Sequence, residues 1–255
     1  MADINERKVA IVTGGGAGIG RACVLRFVRE GMRVAIGDIA DDDGEKTCSQ
    51  IVNTGGEVLY RHCDVASEPD CMALAGAAIE QWGRVDVLVA NAAVRVRGSI
   101  LDATEADWDK IVAVNMKGVA YSCRAVLPAM LKQGQGSIVI ISSANAVVGR
   151  GDMPLYDATK AAVLSLARSL AAEYGKRGIR VNAVCPGYTM TDFHERSAAA
   201  RGVSPQQLRE KNKGYGLLGR PAESHELANA VWFLASDEGA MVTGQTLMVD
   251  SGISV

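Results

Sequence analysis

The sequence predicts a single α/β domain, a parallel sheet covered by helices on both faces. Three observations carry this. Short β-branched apolar runs alternate with amphipathic stretches from end to end, which is the pattern of β-α-β-α units. A glycine-rich turn stands where the first run gives way to the first helix. No repeat, low-complexity tract or Pro/Gly linker divides the 255 residues, so residues 1–255 read as one domain. With 48% hydrophobic and 22% charged residues the composition is that of an ordinary globular protein. A chain of this size buries roughly three quarters of its unfolded surface, so neither metal nor disulfide is needed to hold it.

The first strand is expected at residues 9–13, an apolar β-branched run that ends abruptly in glycines. From Ile19 on, Ala22, Cys23, Leu25, Phe27 and Val28 form a helical stripe. Further strands are expected at 33–37, 57–62, 85–90, 137–142, 180–185 and 246–249. Amphipathic helices are expected at 41–54, 68–82, 105–132, 154–176 and 222–236. Residues 187–219 break the rhythm, being polar, mixed and glycine-rich at the far end. So long an irregular stretch reads as a substrate lid, at about 188–219, over the strand C-termini where α/β sheets bind ligands. The plainer alternative is a surface excursion packed by Phe193 and Leu208.

The turn Thr13-Gly14-Gly15-Gly16-Ala17-Gly18-Ile19-Gly20 bends sharply and opens a helix. A helix N-terminus offers free N–H groups and a positive dipole end, which suits a phosphate. The second strand ends in Asp38, about twenty residues on, where a carboxylate accepts hydrogen bonds from adenosine ribose hydroxyls. It repels a 2′-phosphate, and Ile39 and Ala40 supply no cation, which favours NAD over NADP. Arg21 and Arg33 read as solvated or ribose-side charges.

Downstream stands a phenol, a hydroxyl and an ammonium suited to moving a proton beside a carbonyl. Pro154 fits a first helical turn, which puts Tyr156 near the helix start and Lys160 one turn on, on the same face. A free tyrosine titrates near pH 10; the ammonium and the helix end are expected to lower it. The phenol could then give a proton to an alkoxide or take one from an alcohol. Ser143 closes the strand at 137–142 at the ligand edge, while Ser142 points away by alternation. Asn115 sits within an apolar helical stretch where asparagine is a poor interior residue. Two explanations stand: an amide tied to backbone, or a kinked helix holding a water near Lys160.

Other classes are excluded by composition. A net charge of −2 leaves no footprint for nucleic acid or an anionic membrane. Six scattered cysteines and three isolated histidines form no metal-ligand spacing, and reduced thiols are expected. The first residues lack a signal-peptide core and no run is long enough to span a bilayer, so a cytoplasmic protein is expected.

Together these residues resemble the short-chain dehydrogenase/reductase family across essentially the whole chain. The loop at 13–20 matches TGxxxGxG, Tyr156-Asp157-Ala158-Thr159-Lys160 matches YxxxK, and Ser143 stands thirteen residues before the tyrosine. Pro186-Gly187 is similar to the family's motif after the sixth strand. The resemblance implies a Rossmann-like, doubly wound sheet of seven strands in order 3-2-1-4-5-6-7. It implies NAD-dependent interconversion of a secondary alcohol and a ketone, with Tyr156 as general acid/base, Ser143 orienting the substrate oxygen, and Lys160 on the nicotinamide ribose. Asn115 would join a water-linked proton relay. Asp64 and Val65 would contact adenine, Asn91 and Ala92 the cofactor, and Pro186, Gly187, Thr189 and Thr191 the nicotinamide side. A homotetramer, or a homodimer, is implied through the helices at 105–132 and 154–176, with Ala161, Ala162, Ser165 and Ala167 allowing close approach. Two departures stand out: Ala90-Asn91-Ala92-Ala93 replaces NNAG, and Asp250-Ser251-Gly252 replaces Asp-Gly-Gly.

The substrate is expected to meet residues 94–98, 144–155 and the lid. Arg95, Arg97, Arg150 and His194 fall there, as grips for an anionic group or as ordinary surface residues. Two rival classes are an NAD-binding regulatory or scaffold protein without turnover, and a nucleotide-binding methyltransferase. Neither needs Asn115, Ser143, Tyr156 and Lys160 together.

Overall fold

The central strands are buried along nearly their whole length because both faces of the sheet are covered there. A computed structural model describes residues 7–255. In chain order it contains β1 (Val9–Thr13), α1 (Gly18–Arg29), β2 (Arg33–Asp38), α2 (Asp41–Val52), β3 (Val58–His62), α3 (Glu68–Trp82) and β4 (Val87–Ala90). These are followed by α4 (Glu105–Val112), α5 (Gly118–Gln133), β5 (Gly136–Ile141), α6 (Pro154–Tyr174) and β6 (Ile179–Pro186). The chain closes with β7 (Thr189–Met190), α7 (Asp192–Ala199), α8 (Pro205–Lys211), β8 (Ala222–Glu223), α9 (Ser224–Ala235) and β9 (Thr246–Val249).

The main sheet has seven parallel strands in order β3-β2-β1-β4-β5-β6-β9. This is the expected Rossmann-like order; its seventh strand is the ninth in the chain because β7 and β8 pair separately in a two-stranded sheet. Side-chain alternation splits the core in two. Val9 and Ile11 face a layer with α3, α5 and α6, whereas Ala10 and Val12 face α1 and α9.

Local chemistry moved several boundaries. The 105–132 helix is broken by a wide π turn at Ala113–Lys117, centred on buried Asn115. The 85–90 strand starts at Val87, because the Asp86 carboxylate receives the Val9 N–H at 2.8 Å and pairs with Arg84. Arg33 is not a solvated charge: it is buried against Glu57 at 2.8 Å.

The largest correction concerns 187–219, which is not irregular. Thr191 caps α7 by receiving the His194 N–H, and Ser204 caps α8 in a reciprocal box with Gln207. The two helices enclose a small core of Met190, Ala198 and Leu208. Phe193 takes no part in it and is 59% exposed. The segment docks on the C-terminus through Ser251, whose carbonyl receives the Leu217 N–H and whose hydroxyl donates to the Tyr215 carbonyl. Ser251 has φ 62°, the left-handed conformation a glycine would take without cost.

Among the described residues, no helix is long and apolar enough to cross a membrane and no cluster of three metal-ligating side chains exists. All six cysteines are free.

Candidate active site

The C-terminal ends of the central strands open into a cavity of about 830 Å³. One end is built by the glycine turn. Gly14 has φ +64°, and a Cβ on Gly20 would fall 2.0 Å from the Gly14 carbonyl oxygen, so the turn closes on itself only with glycine there. Asn91 locks it, donating from Nδ2 to the carbonyls of Thr13 and Gly14, each at 3.0 Å. The lone asparagine of the altered NNAG motif therefore suffices to hold the loop. Gly14, Gly18, Ile19 and Ala17 face the cavity; Gly16 and Gly20, expected to touch a cofactor, instead shape the turn from behind.

The α1 N-terminus already holds an anion. Gly18 N–H donates to the Asp192 carboxylate from α7 at 3.1 Å, where a phosphate oxygen of a dinucleotide would be received. Asp38 is aimed by two backbone donors, Gly16 N–H at 2.8 Å and Ala40 N–H at 3.0 Å. Asp41, Asp42 and Asp43 follow in the first turn of α2. Ile39, Asp64, Val65 and Ala92 also line the cavity, as do Pro186, Gly187, Thr189 and Thr191, the last beside Gly18. These features fit a nicotinamide dinucleotide: a bent glycine turn, an occupied anion position at the helix start, and an acid beyond it.

The other end gathers Ser143, Tyr156 and Lys160 in the same cavity. The Ser143 hydroxyl accepts the Asn145 N–H at 3.1 Å, which leaves its own proton to donate. Ser142 points elsewhere, as alternation requires, and donates to the Lys160 carbonyl at 2.7 Å, tying α6 to β5. Lys160 is buried; its Nζ donates to the Ile141 carbonyl at 2.8 Å and sits 5.7 Å from the Tyr156 ring centre. Burial pushes this ammonium down to about 8.

Tyr156 does not follow the expected direction. Burial raises its pKa, with the Arg95 cation and the Ser143 hydroxyl pulling the other way. The phenol is enclosed by α6 and the loop after β4, and Lys160 spends a proton on Ile141, so desolvation wins.

Asn115 is tied to backbone, as the first of its two explanations has it, and lies inside the wide π turn at Ala113–Lys117. Its Oδ1 accepts the Val94 N–H at 2.8 Å, and its Nδ2 donates to the Val94 carbonyl at 2.9 Å and to Thr159 Oγ1 at 3.2 Å. The amide acts as a short strand partner that fastens the loop after β4 to α6.

Of the three loop arginines only Arg95 enters the cavity. Arg97 and Arg150 share Asp152 on the rim, at 2.6 and 3.4 Å, and Arg150 does not line the site. His194 does, with Phe193, Arg196 and Ser197 from α7. Its Nδ1 is within 2.8 Å of the Thr189 carbonyl, which must receive a proton, so Nε2 is the lone pair that faces Arg95 at 2.9 Å. The sequence did not single out Arg196; it reaches from α7 to Asp43 at 2.8 Å and lies too far along the chain to be placed by pattern.

Comparison with known proteins agrees with this arrangement. Residues 14–254 match the family model described as enoyl-(acyl carrier protein) reductase. An uncharacterized oxidoreductase of Thermotoga maritima is 38% identical over 97% of both chains. The 2-(S)-hydroxypropyl-CoM dehydrogenase 3 of Xanthobacter autotrophicus is 36% identical over 100% of this chain and 99% of its own. The crystal structure of levodione reductase superposes with a TM-score of 0.90, at 32% identity and 97% coverage of both chains. Fold, site and relatives agree: the chain belongs to the short-chain dehydrogenase/reductase family of oxidoreductases.

Proposed function

We propose that this protein is an NAD-dependent dehydrogenase/reductase that interconverts a secondary alcohol and a ketone. The observation that carries the reading is the convergence of Ser143, Tyr156 and Lys160 on one end of a cavity whose other end is a glycine turn facing Asp38. A bound nicotinamide would supply the hydride acceptor or donor. The turn at 14–20 and Asp38 would hold the adenosine half; Asp64, Val65, Asn91 and Ala92 would bound adenine and the adjoining ribose. Pro186, Gly187, Thr189 and Thr191 would bound the nicotinamide half. NAD is favoured over NADP because Asp38 and the three acids starting α2 stand against a second phosphate.

Ser143, with its proton free, orients the reacting oxygen. Tyr156 exchanges a proton with that oxygen. Lys160 lies behind the ring with its ammonium fixed on the Ile141 carbonyl, where it would meet the nicotinamide ribose, while the Arg95 cation favours the phenolate as the proton leaves. Asn115 keeps the loop after β4 in register with α6, so that the substrate pocket holds its shape. The segment at 188–219 serves as the substrate lid, since α7 turns Phe193, His194 and Ser197 towards the cavity. A cytoplasmic homotetramer is the expected form; Ala158, Ala161 and Ser165 lie exposed along α6, although Ala167 is buried in the core.

The test is NADH formation across a panel of secondary alcohols with Tyr156→Phe alongside. Loss of roughly 10²–10⁴-fold in kcat, with NADH affinity retained, is expected. Undiminished turnover in the variant would overturn the mechanism.

A further inference from the structure

The cavity is electrically lopsided. Its lining carboxylates, Asp38, Asp43 and Asp64, all belong to the β2–α2–β3 end. The catalytic end presents Arg95 and Lys160, and the acids closest in sequence are committed elsewhere. Asp152 serves Arg97 and Arg150, while Asp157 receives Asn145 Nδ2 and the Arg150 N–H. Among the described residues no carboxylate lies within 4 Å of the Arg95 guanidinium.

Arg95 is exposed, yet its guanidinium is held in place by its neighbours. Its guanidinium carbon lies 5.8 Å from the Tyr156 ring centre and 5.4 Å from that of Phe193, between the two aromatic faces. One Nη1 proton goes to His194 Nε2, a neutral acceptor whose other nitrogen is fixed on the Thr189 carbonyl. Its backbone is fixed too, because Asn115 grips both polar groups of the preceding residue, Val94. Burial and Arg95 itself push the His194 imidazole down to about 4, so it stays an acceptor at neutral pH and does not become a competing cation. A planar cation prepared in this way, with donors left over and no counter-ion, is a receptor for a carboxylate.

We propose that the substrate of this site is a short hydroxy acid and its keto acid, with the carboxylate bound by Arg95 and His194 acting as the positioning residue for that arginine. The inference rests on the alcohol–ketone reading above and names its substrate class. The proximity of Arg95 to the Tyr156 ring sets the carboxylate a few bonds from the reacting carbon. Arg150, paired on the rim, has no part in it.

The experiment is calorimetric titration of the enzyme–NADH complex with keto acids of graded chain length, each against its uncharged amide. NADH binding is measured first. Should NADH not bind, the cofactor reading fails, and the same titrations on the free enzyme still read the anion preference. Wild type is expected to bind the best keto acid about 10–100-fold more tightly than its amide. Arg95→Gln should erase that ratio while leaving the amide and NADH affinities unchanged, and Arg150→Gln should preserve it. His194→Phe should reduce the ratio and His194→Gln, which retains an acceptor, should restore most of it. Equal affinity for acid and amide in the wild type, including failure to bind either, overturns the proposal. So does an undiminished ratio in Arg95→Gln.

Discussion

Replacing Asp38 with alanine tests how the cavity chooses between cofactors. In the wild type its two oxygens accept the Gly16 and Ala40 N–H groups at 2.8 and 3.0 Å, which fixes the carboxylate at the cavity wall. Its remaining lone pairs are available to a ribose diol, and hydrogen bonds of this charged kind contribute about 1.5–3 kcal/mol. NADH should therefore bind about 10–150-fold more weakly to the variant. For NADPH the same oxygens face a phosphate. A pair of unit negative charges about 4 Å apart repels by about 1 kcal/mol at the dielectric of water and about 4 kcal/mol near a protein surface. Removing that repulsion offsets the lost hydrogen bonds. The proposed NAD preference should thus narrow by about 10–150-fold. It should not invert, because Asp41, Asp42 and Asp43 remain and no cation is introduced. The assay is fluorescence titration with NADH and NADPH, with thermal unfolding run beside it to show that the newly unpaired Gly16 N–H has not collapsed the loop. A ratio changed by less than about threefold in a folded variant would refute the electrostatic account.

Three further outcomes follow from the same structure. Gly20→Ala would set a Cβ 2.0 Å from the Gly14 carbonyl and 2.6 Å from Asn91 Nδ2, so it should abolish measurable NADH binding and lower Tm; near-normal NADH affinity would contradict the turn's assigned geometry. At φ 62° Ser251→Gly should be more stable to urea than Ser251→Ala by about 1 kcal/mol, since both lose the bond to Tyr215 and only alanine keeps the strain; equal midpoints would remove the strain argument. Lys160 titrates near 8 in the fold against an ordinary 10.5, so from pH 8 to 10.5 the unfolded chain binds more of this proton and stability rises with pH. That rise is about 3 kcal/mol for the free protein and should be absent in Lys160→Met; parallel stability–pH curves for the two proteins would disprove it.

The differences between expectation and structure have a common origin. The strand and helix periods were legible because each is repeated within a few residues, as in Val9–Thr13 and Glu68–Trp82, which came out with the expected bounds. Helices α7 and α8 were not, although Ser204 to Gln207 carries a capping pattern. Their apolar residues, Ala198 and Leu208, are too few to show a stripe and are buried only once the two helices meet. Tyr156 has Lys160 as its near neighbour in the sequence. Its titration is governed by enclosure and by Arg95, sixty-one positions away along the chain.

The sequence by itself determined the parallel sheet, the phosphate-suited turn and the Ser143, Tyr156 and Lys160 trio. Each of these is written in spacings along one strand or one helix, where backbone geometry converts position into direction. The tertiary structure alone decided which arginine enters the cavity, that Asn115 clasps Val94, and that Asp192 stands at the start of α1. Those outcomes depend on partners brought together from distant parts of the chain: Arg95 with His194, Gly18 with Asp192. Charge and hydrogen bonding act over a few ångströms, and only folding sets which groups lie within that reach.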